Sequence, residues 1–214
     1  MIGKLQYISQ ENEAKDHLAN IEEACQSGCD WIQLRLKSKT EEEARRLGQQ
    51  AKKICEFYGS RLIINDHVWL AKEIQAEGVH LGKEDMPPSE ARDILGKEVI
   101  IGGTANTFED LETLSKSGVN YIGLGPFRFT TTKEKLSPVL GLEGYKDIIN
   151  RAQQQGVDVP VIAIGGILSE DVETLLDVGL HGIAVSGLIT QAKDKLRLVT
   201  DLKKKLYHEE ITNS

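Results

Sequence analysis

Short apolar runs alternate with amphipathic helical stripes eight times along this chain, and every unit places the strand before the helix. That order leaves few topologies open, because each crossover to a parallel strand is right-handed and must pack back on the sheet. Leu5 to Ile8 precedes a stripe of Ala14, Leu18, Ile21 and Cys25 that stops at Gly28. Trp31 to Lys37 precedes Ala44, Leu47, Ala51 and Ile54, with Thr40 and Glu43 spaced as a capping box. Arg61 to Asn65 leads to a short helix around Leu70 to Ile74, and Val79 to Leu81 to a helix opened by Pro88-Ser89 and running to Leu95. Val99 to Gly102 precedes a helix capped by Thr107 and Asp110 that ends at Gly118. Tyr121 to Leu124 breaks at Gly125-Pro126, and a helix follows from Glu143 to Gln155. Val159 to Ile164 is followed by a helix from Ser169 to Val178, and Ile183 to Val185 by a closing helix that passes Leu202.

Eight such units in 214 residues fit a compact single (β/α)8 TIM barrel, an α/β fold, and no Pro/Gly/Ser linker divides the chain. A doubly wound open sheet is the alternative, but eight even units favour closure. The expected domain spans residues 1–208, with a disordered tail over 209–214. A net charge of −7 argues against nucleic acid as the main partner. Lys203, Lys204 and Lys205 form a solvated face that suits a helix C-terminus. No apolar run approaches the roughly 20 residues of a membrane span, and MIGKLQYISQ lacks a signal pattern, so a cytoplasmic location is expected. Cys25, Cys29 and Cys55 read as small buried hydrophobes in a reducing compartment.

Inward-facing positions carry the chemistry. In the second strand Ile32, Leu34 and Leu36 share one face and Gln33, Arg35 and Lys37 the other. If the apolar set faces the helices, an amide and two cations point inward toward the C-terminal mouth. There they need either an internal salt-bridge network or an anionic ligand. Asn65-Asp66 ends the third strand and Asp85 follows the fourth, both at strand ends where active sites of this fold lie. Two carboxylates beside two cations fit Mg²⁺ joined to a pyrophosphate. Asp66 also suits a helix N-cap, and Glu84 competes with Asp85 as ligand. His80 is expected to project inward near the mouth, packing there or supporting residues that touch the ligand, but outside the site itself. The loop after the sixth strand presents Thr130, Thr131, Thr132 and Lys133 together, hydroxyls and an ammonium that suit a phosphate. Gly165-Gly166 and Val185-Ser186-Gly187 end strands seven and eight, where barrels often bind a second phosphate.

These residues resemble the thiamine-phosphate synthase family through nearly the whole chain. The family pattern appears here as Gln33-Arg35-Lys37, Asn65-Asp66, Gly78 to Asp85, Gly125 to Lys133, Ile164 to Ile167 and Val185-Ser186. The resemblance implies a transferase that joins a pyrimidine diphosphate to a thiazole phosphate and releases pyrophosphate. It implies that Gln33, Arg35, Lys37, Asn65, Thr104 and Lys133 hold the pyrimidine diphosphate, with Arg35, Lys37 and Lys133 catalytic. Asp66 and Asp85 would bind Mg²⁺, and Thr130, Thr131, Thr132, Gly166, Val185 and Ser186 would hold the thiazole phosphate. The implied partners are those two small molecules, neither nucleic acid nor membrane, with self-association into a homo-oligomer left open. Two departures stand out: Phe129 replaces the usual proline of the threonine loop, and Thr104 the usual serine.

Three rival readings remain. A thiazole tautomerase shares the barrel but uses a histidine at the strand-six turn, where this chain has Pro126-Phe127. A sugar-phosphate isomerase or epimerase needs an acid/base pair separate from the proposed metal ligands. A non-catalytic phosphometabolite sensor would keep the binding groups without turnover.

Overall fold

In the computed structural model each strand pairs in parallel with the next, and the eighth closes on the first. The structure describes residues 1–129 and 138–207. The strands are β1 (Leu5–Ile8), β2 (Trp31–Leu34), β3 (Arg61–Asn65), β4 (Gly78–Leu81), β5 (Ile100–Ala105), β6 (Tyr121–Leu124), β7 (Val161–Ile164) and β8 (Gly182–Val185). The helices between and after them are α1 (His17–Gln26), α2 (Glu41–Tyr58), α3 (Val68–Glu73), α4 (Pro88–Leu95), α5 (Phe108–Lys116), α6 (Gly141–Gln154), α7 (Val172–Asp177), α8 (Gly187–Thr190) and α9 (Lys195–Leu206). This is the (β/α)8 TIM barrel that the alternation implies. The tail expected at 209–214 lies outside the described residues. Among those described, no helix is long and apolar enough to cross a membrane.

The period of two along each strand separates two cores. Ile32, Leu34 and Leu36 face the helix layer and join Leu62, Ile64, Val79, Ile101 and Ile122 in a continuous apolar shell. Side chains of the opposite parity fill the barrel: Ile8, Trp31, Ile63, Tyr121, Ile162 and Ala184. Trp31 and Tyr121 open their strands and meet edge to face, with centroids 4.9 Å apart. Ile8 and Ala184 border the cavity, while Trp31, Ile63, Tyr121 and Ile162 fill the barrel beneath it, so ligand space opens at the C-terminal end.

Several boundaries differ from expectation, each for a local reason. β2 stops at Leu34 instead of Lys37, and Ser38 turns with φ of 54°. β5 runs on to Ala105, so Thr104 lies within the strand and not after it. Gly102 and Gly103 read as a strand end, yet they occur mid-strand because neighbouring side chains occupy the space of a Cβ. A Cβ on Gly103 would come 2.6 Å from Leu114 Cδ2. α1 starts at His17, leaving Ala14 outside it, because Asp16 Oδ1 accepts from Ala19 N at 2.9 Å and caps the helix there. The capping boxes at Thr40/Glu43 and Thr107/Asp110 form as their spacing indicates.

Truncating the aromatic plug tests this packing. Trp31→Ala should cost about 3–5 kcal/mol, the scale of a large buried aromatic. Urea denaturation would show it as a lower midpoint at an unchanged slope.

Candidate active site

Every strand, or the loop immediately after it, lines one open cavity of about 850 Å³ at the C-terminal end of the barrel. Its two sides differ in chemistry. Strands β1 to β5 and their loops bring side chains: Gln10, Glu11, Gln33, Arg35, Asn65, Asp66, His80 and Thr104. The ends of β6 to β8 and the segments after them bring glycine backbone and Ser186 together with apolar side chains: Gly125, Phe129, Ile164, Gly165, Gly166, Ile167, Leu168, Val185, Gly187 and Leu188.

The floor is a hydrogen-bonded chain across the barrel. Gln33 Nε2 donates to Gln6 Oε1 at 3.2 Å, and Gln6 Nε2 donates to Tyr121 Oη at 3.3 Å. Tyr121 Oη lies 2.9 Å from His80 Nδ1, and His80 Nε2 lies 2.9 Å from Thr104 Oγ1. Gln6, Gln33, Tyr121 and His80 are buried, so this pairing meets their polar requirement without water. Burial pushes the Tyr121 phenol pKa well above its ordinary value, which keeps the group neutral and able to donate.

Arg35 follows β2, and its backbone N–H donates to Ser9 Oγ at 3.2 Å. Ser9 Oγ lies 2.9 Å from His17 Nδ1. The hydroxyl thus accepts from the Arg35 backbone and shares a second hydrogen bond with the His17 ring. Burial holds the His17 pKa below its ordinary value and favours the neutral ring.

Asp66 lines the cavity with a left-handed backbone, φ 66°, and its N–H donates to the His80 carbonyl at 2.9 Å. It does not take the N-cap of α3, a place held by His67. Asp85 is half-buried behind Gly82, whose N–H donates to Asp85 Oδ2 at 2.6 Å; Gly82 lines the cavity and Asp85 does not. Among the described residues no group of three or more His, Cys, Asp or Glu is arranged to hold a metal. Two hard carboxylates fit magnesium, which takes one or two of them and completes its shell with phosphate oxygens and water. The same pair is too few and too hard to suit a thiolate- or imidazole-bound metal.

Of the other residues singled out by sequence, Gln33, Arg35, Asn65, Thr104, Gly166, Val185 and Ser186 line the same cavity. Lys37 does not. It is exposed, three residues beyond the end of β2 and one residue before Ser38 turns the chain. Thr130, Thr131, Thr132 and Lys133 lie outside the described residues.

The backbone side of the mouth is held by close approach. Gly165 and Gly166 have φ of 92° and 68°. A Cβ would come 2.7 Å from Pro126 Cβ at the first and 2.7 Å from Arg128 Cβ at the second. Only glycine meets both demands. Arg128 Nη1 donates to Gly166 O at 3.0 Å, and its guanidinium pairs with both carboxylate oxygens of Asp171, Nη2 to Oδ1 at 2.6 Å. The Arg128 guanidinium holds the Asp171 carboxyl below its usual pKa. Ser186 Oγ donates to Gln10 Oε1 at 2.9 Å, linking β8 to the loop after β1.

The thiamine monophosphate synthase family model matches residues 5–189. Thiamine-phosphate synthase of Flavobacterium johnsoniae is 55% identical over 207 residues, covering 97% of this chain and 98% of that protein. The Bacteroides fragilis thiamine-phosphate synthase is 50% identical over 190 residues, 89% of this chain and 93% of that one. The solved thiamine phosphate pyrophosphorylase of Pyrococcus furiosus superposes with a TM-score of 0.82 at 30% identity, covering 96% of each chain. The chain belongs to the thiamine monophosphate synthase family.

Behind the residues that line the cavity lie polar groups that the motifs do not mark as functional. Gln6 and Tyr121 are one kind: inward polar positions on β1 and β6 that the alternation argument used for β2 would also find. Arg128 and Asp171 are another, because partners 43 residues apart on different loops leave no local signal. Ser9 and His17 are a third.

Stability should depend on His17. The lowered folded pKa means the unfolded chain binds the proton more readily, so stability rises with pH through this range. The contribution is complete above the unfolded value of about 6.5 and is lost as pH falls through the lower folded value. Thermal melts across that window should show the slope in the wild type and a flatter dependence in His17→Gln.

Proposed function

We propose that this transferase joins a pyrimidine carried as its methylene diphosphate to a thiazole phosphate, giving thiamine phosphate and pyrophosphate. The observation that carries the reading is one cavity whose polar side contains Gln33, Arg35, Asn65, Asp66 and Thr104 and whose opposite side contains Gly166, Val185 and Ser186. Thiamine-phosphate synthases 50–55% identical over most of the chain support it.

The chemistry needs no proton abstraction. The thiazole nitrogen has a free lone pair and forms the new C–N bond to the pyrimidine methylene carbon. The C–O bond to the diphosphate breaks, and pyrophosphate leaves with that electron pair. Catalysis then depends on stabilising charge that grows on the leaving group and on aligning two rings. Arg35 and Thr104 would donate to the diphosphate oxygens, with Lys37 and Lys133 as further cations from the rim and the threonine loop. Asn65 and Gln33 would orient the pyrimidine end. Ser186, the backbone at Gly166 and Val185, and Thr130, Thr131 and Thr132 would hold the thiazole phosphate. Asp66 and Asp85 would hold Mg²⁺, which supplies charge neutralisation on the diphosphate and on the departing pyrophosphate. Three free, buried cysteines support a cytoplasmic location.

Pyrophosphate release on mixing both substrates with Mg²⁺ tests the reading directly; a binding-only barrel or a tautomerase releases none. Arg35→Met should lower turnover by roughly 10²-fold, the scale of one lost donor to developing charge, with the KM for thiazole phosphate little changed. Asp85→Ala should raise the Mg²⁺ concentration needed for half-maximal rate, and an unaltered titration would move the ligand role to Glu84.

A further inference from the structure

The polar chain on the cavity floor has a direction, and Tyr121 fixes it. The side-chain amide of Gln6 reaches the phenol oxygen as a donor, Nε2 to Oη at 3.3 Å. Gln6 is itself oriented, because its Oε1 accepts from Gln33 Nε2. An amide N–H only donates, so it cannot take the phenol proton, which goes to the other partner of that oxygen, His80 Nδ1 at 2.9 Å. A neutral imidazole that accepts at Nδ1 carries its proton at Nε2. That nitrogen lies 2.9 Å from Thr104 Oγ1, so the threonine oxygen accepts from the ring. Its own proton then turns away from the ring, toward the cavity that Thr104 lines.

The barrel interior makes room for this pair of rings. A Cβ on Gly102 would come 2.2 Å from Tyr121 Cζ and 2.6 Å from His80 Nδ1, and one on Gly123 would come 3.2 Å from His80 Cε1. Two strand glycines thus vacate the volume that the phenol and imidazole fill, and their hydrogen bond spans it.

We propose that His80 is a positioning residue: held by Tyr121 as the Nε2–H tautomer, it aims the Thr104 hydroxyl proton at an oxygen of the anionic group bound in the mouth. The proposal rests on the reading of that mouth as a diphosphate site. A hydroxyl free to rotate can present a lone pair to an anionic oxygen, whereas one already accepting from an N–H presents its proton. As charge grows on the leaving group, such a donor strengthens its bond without reorienting. No proton passes along the chain. The phenol and the imidazole end each turnover as they began.

Two measurements test it. In protein labelled with ¹⁵N-histidine and free of substrate, the His80 resonances, assigned by their loss in His80→Gln, should report a protonated Nε2 and a bare Nδ1. A protonated Nδ1 would reverse the chain and overturn the proposal. In steady-state assays, His80→Phe should lower kcat/KM for the pyrimidine diphosphate roughly tenfold, the worth of one hydrogen bond to a charged group. The KM for thiazole phosphate should not move. His80→Gln, whose amide can still donate to Thr104, should recover most of the loss. In a Thr104→Val background, His80→Phe should cost little more. Losses that simply multiply would mean that His80 acts independently of Thr104, and the proposal fails. The tautomer measurement needs no turnover, so a barrel with the locked ring but no pyrophosphate release would fail only the synthase reading.

Discussion

A closed barrel turns every second residue of every strand inward, and any polar group sent there must find a partner or lose its hydration uncompensated. Trp31, Ile63 and Ile162 pack inside the barrel, where the Trp31 indole nitrogen is buried without a hydrogen-bond partner among the described residues. The amide, phenol, imidazole and hydroxyl of Gln33, Gln6, Tyr121, His80 and Thr104 are linked to one another in sequence. Among the residues that line the mouth, Arg35, Asp66 and Glu11 bring charge. A fully paired network in a low-dielectric floor is rigid, because breaking one link strands a buried donor or acceptor. The site is therefore built on a base that resists rearrangement as charge moves above it.

The mouth is chemically lopsided for a related reason. Strands β1 to β5 deliver polar and charged side chains, whereas the β6 to β8 side is mainly apolar apart from Ser186 and Gln191, with glycines at Gly165 and Gly166 against which the loop after β6 crowds. Arg128 fastens that crowding by bonding both the Gly166 carbonyl and the Asp171 carboxylate. Backbone N–H groups approach a compact phosphate closely, and cations with flexible stems suit a larger, more highly charged diphosphate. The difference between the two sides matches a reaction in which one anionic group departs and the other only anchors its ring.

How much of this the sequence disclosed follows the range of the interactions. Strand–helix alternation is local and fixed the barrel, its eight units and both capping boxes. The inward parity of Gln33 and the outward parity of Ile32 and Leu34 were equally legible, since hydrophobicity and period alone decide them. Beyond the strand that parity persists through Arg35 and Leu36 but does not bring Lys37 into the cavity lining; Lys37 is exposed. Glycines misled in β5, where a turn signal and a space-making signal look alike in one dimension. Alternation places His80 near the mouth as a packing residue or a support for the site, but its partner is not legible, because the phenol that orients it lies 41 residues away on β6. Arg128 and Asp171 were invisible for the same reason.

β4 joins what otherwise look like separate parts of the polar side. The His80 imidazole serves Thr104 on β5, and the His80 carbonyl accepts from the backbone of Asp66 after β3. Two residues on, the Gly82 N–H holds the Asp85 carboxylate. One short strand and the residue after it thus set the hydroxyl donor and both acidic groups through three separate hydrogen bonds. Asp66 sits at a positive φ that a non-glycine residue rarely adopts, a conformation the surrounding bonds must hold in place. A shift of β4 along its neighbours would move all three groups together, so their relative placement survives small distortions that would separate independently mounted side chains. For a reaction whose barrier lies in one departing anion, mounting its donor and its proposed metal ligands on a common strand keeps them aligned on the same oxygens.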